Sequence, residues 1–387
     1  MKKVLFILAV FAVSSCVYPF TPDISQISDG RIVIEGDIIL GTESTFTLSR
    51  IADLDASKEE MDNMSHPKGE VWVESSDGKK YNANSQGDGI YVADMSGAEE
   101  NLSYSLHALI SGREYRSTPT AAQSSCTIAA LEYEIDGTVL NLYADIASSQ
   151  KGYYRISFME NWEYNSLYRD YSKYMKPSKD LPEEFRSTGM IVDMPADESM
   201  YHCWNSRASS DLMLFTNEGM DSFDLKKLQF HSLQNTDRRI SYVYAVDVYV
   251  DPISKDEYDY LDHLKEISDY NGSLFSPNPS EMRGNIRCAA DTTEMVIGYI
   301  NTIRRSTRRL FIYNYDTNFY VRTAAHYEDI LEKVQPGSWW SLYLQGYLPF
   351  DGNDRDGYSW ADKRCVDCTL VGGGSKSKPA WWPNTDI

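Results

Sequence analysis

From Arg31 onward the chain changes side at almost every residue. The runs RIVIEGDI, TFTLSRI, GEVWVESSDGKKYNA, GIYVAD and YSLHALISGREYRS alternate apolar and polar residues, and Gly, Asp, Ser or Asn turns separate them. A period of two puts every second side chain on one face, so such runs bury an apolar side only as strands of a half-covered sheet. They predict a small β-sandwich over residues 31–122, with a hairpin at SDGKKY. ALEYEIDGTVLNLYADI and GYYRISFMENWEYN open a second alternating series, and RISYVYAVDVYVD, MVIGYI and RRLFIYNY continue it. This predicts a larger β-rich domain over residues 125–350, and a mainly β chain.

One stretch changes the period. In ISKDEYDYLDHLKEISDYNG, Tyr258, Leu261, Leu264 and Ile267 return at helical spacing. Ser254 with Glu257 fits a capping box, and Asn271-Gly272 supply a stop. The spacing predicts a helix lying on a sheet as a fixed insert, and HYEDILEKV predicts another. Residues 351–387 read as a tail, loosened by its glycines and packed back on the second domain, since Trp381 and Trp382 are costly to leave in water.

The amino terminus follows other rules. MKKVLFILAVFAVSSC has two lysines, an apolar run too short to span a bilayer, and small residues before Cys16, the order of a secretory signal. Val13-Ser14-Ser15-Cys16 resembles the bacterial lipobox. That implies a signal of residues 1–15, an acyl chain such as palmitate on Cys16, and a proline-bearing tether over residues 16–30. A formal charge of −20 excludes nucleic acid as a partner and repels an anionic membrane, which leaves the lipid as the attachment.

Candidate sites are few. Trp162, Tyr164, Tyr168, Tyr171 and Tyr174 form an aromatic cluster, and the last four share a face if the segment is helical. Such a face can stack on sugar rings or grip a partner, or else pack in a core. Asp351, Asn353, Asp354 and Asp356 place four oxygen-bearing side chains in one turn, which suits calcium, although Arg355 stands at the fifth EF-hand position and a plain acidic turn is the other reading. The six histidines show no HExxH spacing, and GxSxG and the phosphate loop are absent. Ser148-Ser-Gln-Lys151 and Ser375-Lys-Ser-Lys378 match SxxK without its companions. The residues therefore read as a protein without catalysis or cofactor, with a dispersed glycosidase carboxylate pair left open.

Three motifs taken together carry a family resemblance. YHCWNS, the segment from ISKDEYDYLDHLKE through GSLFSPNPSEMRGNI, and CVDCTLVGGGSKSKPAWWP, after an early RIVIEGDI, resemble lipoproteins of Bacteroidota in domain-of-unknown-function family 4249. The resemblance implies an immunoglobulin-like or transthyretin-like amino-terminal sandwich, a lipid anchor in the outer membrane, and a TonB-dependent transporter as partner. The implied function is an accessory in ligand capture or uptake; a structural or assembly factor and a surface glycan or peptide hydrolase are the alternatives. The family brings no catalytic residues, and its signature cysteines correspond to Cys203, Cys365 and Cys368. GGGSKSKPAWW departs from the family's usual loop. Cys365-Val-Asp-Cys368 is open to zinc, redox or structural readings, of which a bridge from Cys203 to one of the tail pair is preferred. Both faces of the outer membrane stay open, because no acidic run follows Cys16 directly.

Overall fold

A computed structural model describes residues 31–51, 66–269, 283–320 and 330–383. The signal segment, Cys16, the tether and the Asn271-Gly272 stop lie outside the described residues. The fold is mainly β, with an amino-terminal β unit and a larger β-rich part that carries short helices.

The first sheet runs in the order Ile32–Gly36, Glu43–Arg50, Ile90–Asp94, Lys80–Gly87, Gly69–Ser75, Ser103–Ile110, Arg113–Ser117, Ile286–Cys288. Ile34 on its first strand and Ile286 on its last share one core with Phe46, Leu48, Val73 and Leu106, so the sheet curls round a single interior. The SDGKKY hairpin closes as expected, pairing Glu74 with Lys80. The last strand arrives from far downstream and pairs Ile286 with Ser117. The amino-terminal unit is therefore not contiguous in sequence.

MVIGYI, expected as a strand of the second domain, instead runs along the first unit. Ile34 N donates to Ile297 O at 3.0 Å, Ile38 N to Asn301 O at 2.8 Å and Leu40 N to Ile303 O at 3.0 Å. Only a single bridge, Val33 to Ile297, forms within it, because Gly298 breaks the extended backbone at φ +123°. A Cβ on Gly298 would lie 1.9 Å from Ile34 O. Gly298→Ala should therefore cost more than about 2 kcal/mol through clash and backbone strain together. Urea unfolding would measure it, and an unchanged midpoint would show that the two backbones can part freely.

The second part is a pair of facing sheets. Cys126–Asp136, Val139–Ser148 and Leu225–Gln234 form one. The other orders His202–Ala208, Tyr153–Asn165, Val243–Ile253 and Ser306–Tyr313, with Met213–Thr216 also paired to Tyr153–Asn165. Leu140, Leu142, Ile156, Phe158, Val246 and Val248 meet between them. The expected helix spans Lys255–Asp269, and Ser254 Oγ accepts from Glu257 N at 3.2 Å. Tyr258 and Leu261 pack with Ile39, Ile253 and Ile303, which seats the helix where the two parts join.

The second expected helix is corrected by the structure. Leu331–Val334 is a strand paired with Gly357–Asp362, which pairs in turn with Tyr347–Asn353; His326 to Asp329 lie outside the described residues. This small sheet covers Trp339, Tyr358 and Trp360, aromatic area too large to leave wet, and that burial overrides the local helical spacing. Residues 351–362 thus belong to a hairpin rather than to the tail.

On the strands Tyr153–Asn165 and Val243–Ile253, the face turned away from the core is charged. Arg155 meets Asp37 of the first unit, Asp251 at 2.8 Å and Glu257 at 3.3 Å. Arg305 holds Asp251 from the other side through two contacts of 2.8 Å. Asn301 donates to Glu257, so the carboxylate expected to close the capping box turns inward instead. Burial, and then the Asp37 charge, push the Glu257 carboxyl up to about 8.

Candidate functional site

At the other end of these strands their termini leave a cleft of about 330 Å³. Glu163 and Asn165 close the Tyr153–Asn165 strand, and antiparallel pairing of Asn165 with His202 brings Tyr201 and His202 alongside. Ser241 and Tyr242 lead into Val243–Ile253, while Tyr313 ends its strand and Tyr315 follows in a short helical turn. Strand ends converge because the ladder fixes their register, and their side chains then project past the sheet edge.

The mouth is aromatic. Tyr313 and Tyr315 stack with centroids 5.3 Å apart and planes 23° apart, and Tyr315 is 66% exposed. The Arg169 guanidinium lies 5.3 Å from the Tyr171 ring and 5.6 Å from the Tyr201 ring, and it makes no ion pair among the described residues. The wall is polar. Glu163 accepts from Trp382 Nε1 at 3.0 Å, and His202 Nδ1 stands 3.4 Å from Glu163 Oε1, within electrostatic reach but without a directed hydrogen bond. Asn165 Oδ1 and Ser241 Oγ are buried with no hydrogen-bond partner among the described residues. Leaving such an oxygen unsatisfied costs about 1–3 kcal/mol, which an incoming donor recovers. Burial, and then neighbouring Tyr201, push the Tyr242 hydroxyl up to about 12, so it stays a proton donor.

The tail frames this end of the sheet. Cys203 is bridged to Cys368, and Cys365 is a buried thiol, so the tail pair does not form a CxxC disulfide. The Tyr164 hydroxyl lies 3.0 Å from Cys368 O and 2.9 Å from Val371 O, and accepts from Gly374 N at 3.1 Å. Trp204 and Ser375 exchange two backbone bonds of 2.8 Å, and Trp382 is buried against Val243 and Ala245. The glycines expected to loosen the tail instead let it lie flat: a Cβ on Gly374 would sit 2.1 Å from the Tyr164 hydroxyl. Tyr164→Phe should cost about 1–3 kcal/mol by leaving these backbone groups without a partner. Amide exchange at Gly374 would report it, and unchanged protection would mean that the hydroxyl does not hold the tail.

The aromatic cluster expected from the sequence does not form one face. Trp162 and Tyr164 stand on the Tyr153–Asn165 strand and Tyr174 on Ser172–Met175, so the helical spacing does not apply. Tyr164 is buried beneath the tail and Tyr174 against Trp360, Trp162 is partly buried against two cores, and Tyr168 stacks on Phe350 at 4.5 Å. Tyr171 alone is exposed, at 56%, beside Arg169. In the acidic turn, Asn353 Oδ1 accepts from Arg355 N and Asp356 N, Asp354 Oδ1 from the Tyr358 hydroxyl, and Asp351 Oδ1 from Gly352 N. Those side chains shape the hairpin rather than converge on a point. Arg169, Tyr201, Ser241, Tyr242, Tyr313 and Tyr315 were not singled out by sequence reasoning; the tyrosines at the strand ends in YHCWNS, RISYVY and FIYNY were their signal.

A family model described as a domain of unknown function matches residues 17–309. The chain belongs to the DUF4249 family. The match stops before the small hairpin sheet and the tail. No curated protein matches this DUF4249 chain. Among solved structures it is similar to a DUF4785 family protein of Legionella pneumophila, at 8% identity over 56% of this chain and 51% of that one, with a TM-score of 0.17. This chain thus spans about half the length of the Legionella protein. A provisionally assigned carbohydrate binding protein of Bacteroides uniformis aligns at 10% identity over 58% of this chain and 92% of that one, with a TM-score of 0.15. The BSP domain of a biofilm associated protein aligns at 8% identity over 74% and 60%, with a TM-score of 0.14. Similarity at that level says nothing about the cleft.

Proposed function

We propose that this chain is a non-catalytic binding protein of the bacterial cell envelope. In this reading Cys16 carries the lipid that confines the protein to the outer membrane, beside a TonB-dependent transporter whose ligand the cleft captures. Confinement to a plane raises the effective concentration of the cleft near the transporter without any added contact. The supporting observation is the chemistry of the cleft: a stacked tyrosine pair at its mouth, a guanidinium on its rim without an ion pair, and buried oxygens in its wall without a hydrogen-bond partner, both among the described residues. A glycan hydrolase wants two carboxylates about 5–9 Å apart across its cleft, and Glu163 is the one carboxylate among the described lining residues.

The test is purification of the full-length protein from its native outer membrane in mild detergent, with mass spectrometry of what accompanies it. A transporter in stoichiometric amount supports the accessory role. Recovery alone, or only with assembly machinery, overturns it in favour of a structural factor.

A further inference from the structure

We infer that the ligand of the cleft is an acidic monosaccharide unit of the uronic acid class, its carboxylate held by Arg169 and its ring laid against Tyr313 and Tyr315. This rests on the binding role proposed above and names the class of ligand.

Charge is the first argument. The chain has 57 acidic residues against 37 lysines and arginines, so an anionic ligand needs a local cation to hold it. Arg169 lines the cleft beside the Tyr171 and Tyr201 rings and makes no ion pair among the described residues. A guanidinium beside rings rather than a carboxylate keeps N–H groups available, and its planar fork matches a carboxylate. The second argument is the wall. Asn165 is buried with its side chain against the Tyr242 hydroxyl, and its Oδ1 and Ser241 Oγ have no hydrogen-bond partner among the described residues; sugar hydroxyls can supply donors to both. Glu163, in the same wall, is occupied by Trp382 and His202, and its charge bars a ligand carboxylate from that end. The carboxylate is therefore directed to the rim. The third argument is the mouth: a stacked tyrosine pair, one ring largely exposed, offers a flat apolar surface to the C–H face of a pyranose. An aromatic amino acid also offers a ring and a carboxylate, so phenylalanine is the rival ligand in the test below.

Calorimetric titration of the intact protein with glucuronic acid, galacturonic acid, glucose and phenylalanine tests this. At least one uronic acid should bind at least about tenfold tighter than glucose, as expected of a charge-assisted contact. Arg169→Gln should remove that difference by weakening the acid far more than glucose, while Tyr315→Ala, at an exposed position, should weaken both sugars by roughly two- to tenfold. Glucose binding as tightly as both acids, or phenylalanine binding tighter than either, with the Tyr315→Ala loss intact, overturns the acidic class and leaves the cleft as a binding site. Sugar binding that is indifferent to Tyr315→Ala and Arg169→Gln overturns the placement in this cleft. Absence of binding by both acids overturns the inference itself, and a transporter that still co-purifies keeps the accessory role separate from it.

Discussion

Arg155→Met is expected to lower the unfolding free energy by about 3–5 kcal/mol, the usual cost of leaving buried charge without its partner. The side chain stands between Asp37, Asp251 and Glu257, and only Arg305 would remain to share the site. Because Asp37 belongs to the first unit and the others to the second part, the loss should loosen the joint as well as the sheet. Asp37→Asn in the same background should recover part of the loss, since it removes the carboxylate whose direct partner was Arg155. Urea unfolding of the two single variants and the double variant measures the coupling. Strict additivity would mean that Asp37 and Arg155 do not sense each other across the joint.

The same site sets a pH dependence with an unusual sign. A carboxyl raised to about 8 in the folded chain keeps a proton that the unfolded chain loses near its ordinary value. Stability contributed by Glu257 is therefore present below about pH 4.5 and falls as the pH rises towards 8, by roughly a few kcal/mol. Glu160 works in the opposite sense. It is buried and accepts from His231 at 3.0 Å and from the Tyr244 hydroxyl at 2.9 Å, and its ion pairs with Arg207 and Arg239 complete a set of donors that holds it down at about 2. Its contribution is present above about pH 4.5 and disappears as the pH falls towards 2. Glu257→Gln should flatten the alkaline arm alone. A pH series of thermal midpoints with an unaltered alkaline slope in that variant would remove Glu257 as the cause.

The second large effect is expected from the disulfide. Cys203→Ser with Cys368→Ser should lower stability by about 2–5 kcal/mol, because the bridge spans 165 residues and a crosslink over so long a loop strongly restricts the unfolded chain. The consequence for binding should be larger than for a remote crosslink. Tyr164, Trp382 and Glu163 link the bridge to the cleft wall, so a released tail withdraws the indole that occupies Glu163. Thermal unfolding of the natural chain with and without dithiothreitol provides the check. A reduced chain that melts with the oxidised one would show that packing of Trp382 holds the tail unaided.

Much of this was legible in the sequence where the signal is local. The alternating runs became strands, the Ser254 hydroxyl caps the expected helix, and the bridge joins Cys203 to one member of the tail pair. What escaped depends on distant partners. Ile286–Cys288 is too short to show a period, and it is a strand only because Tyr115–Ser117 waits for it. Leu331–Val334 falls in a stretch with helical spacing, yet Trp360 and Tyr358 draw it into a sheet. Tyr164, Tyr168, Tyr171 and Tyr174 have helical spacing by coincidence of a strand, a loop and another strand. The cleft escaped because no two of its walls are adjacent in sequence: Arg169, Tyr201, Tyr242 and Tyr315 meet only once four strand ends are in register.

The discontinuous first unit governs the order in which this chain can mature. Emerging amino end first, the polypeptide can lay down the strands from Ile32 to Ser117, but the edge along Arg113–Ser117 stays bare until Ile286–Cys288 has been made. The backbone groups of Ile34 and Ile38 wait likewise for Ile297 and Asn301. Throughout that interval an unpaired edge is presented to any neighbouring chain, which is the usual route to misassembly. A fragment ended at residue 122 should consequently aggregate, whereas one carried through residue 313 holds every strand that the first unit requires.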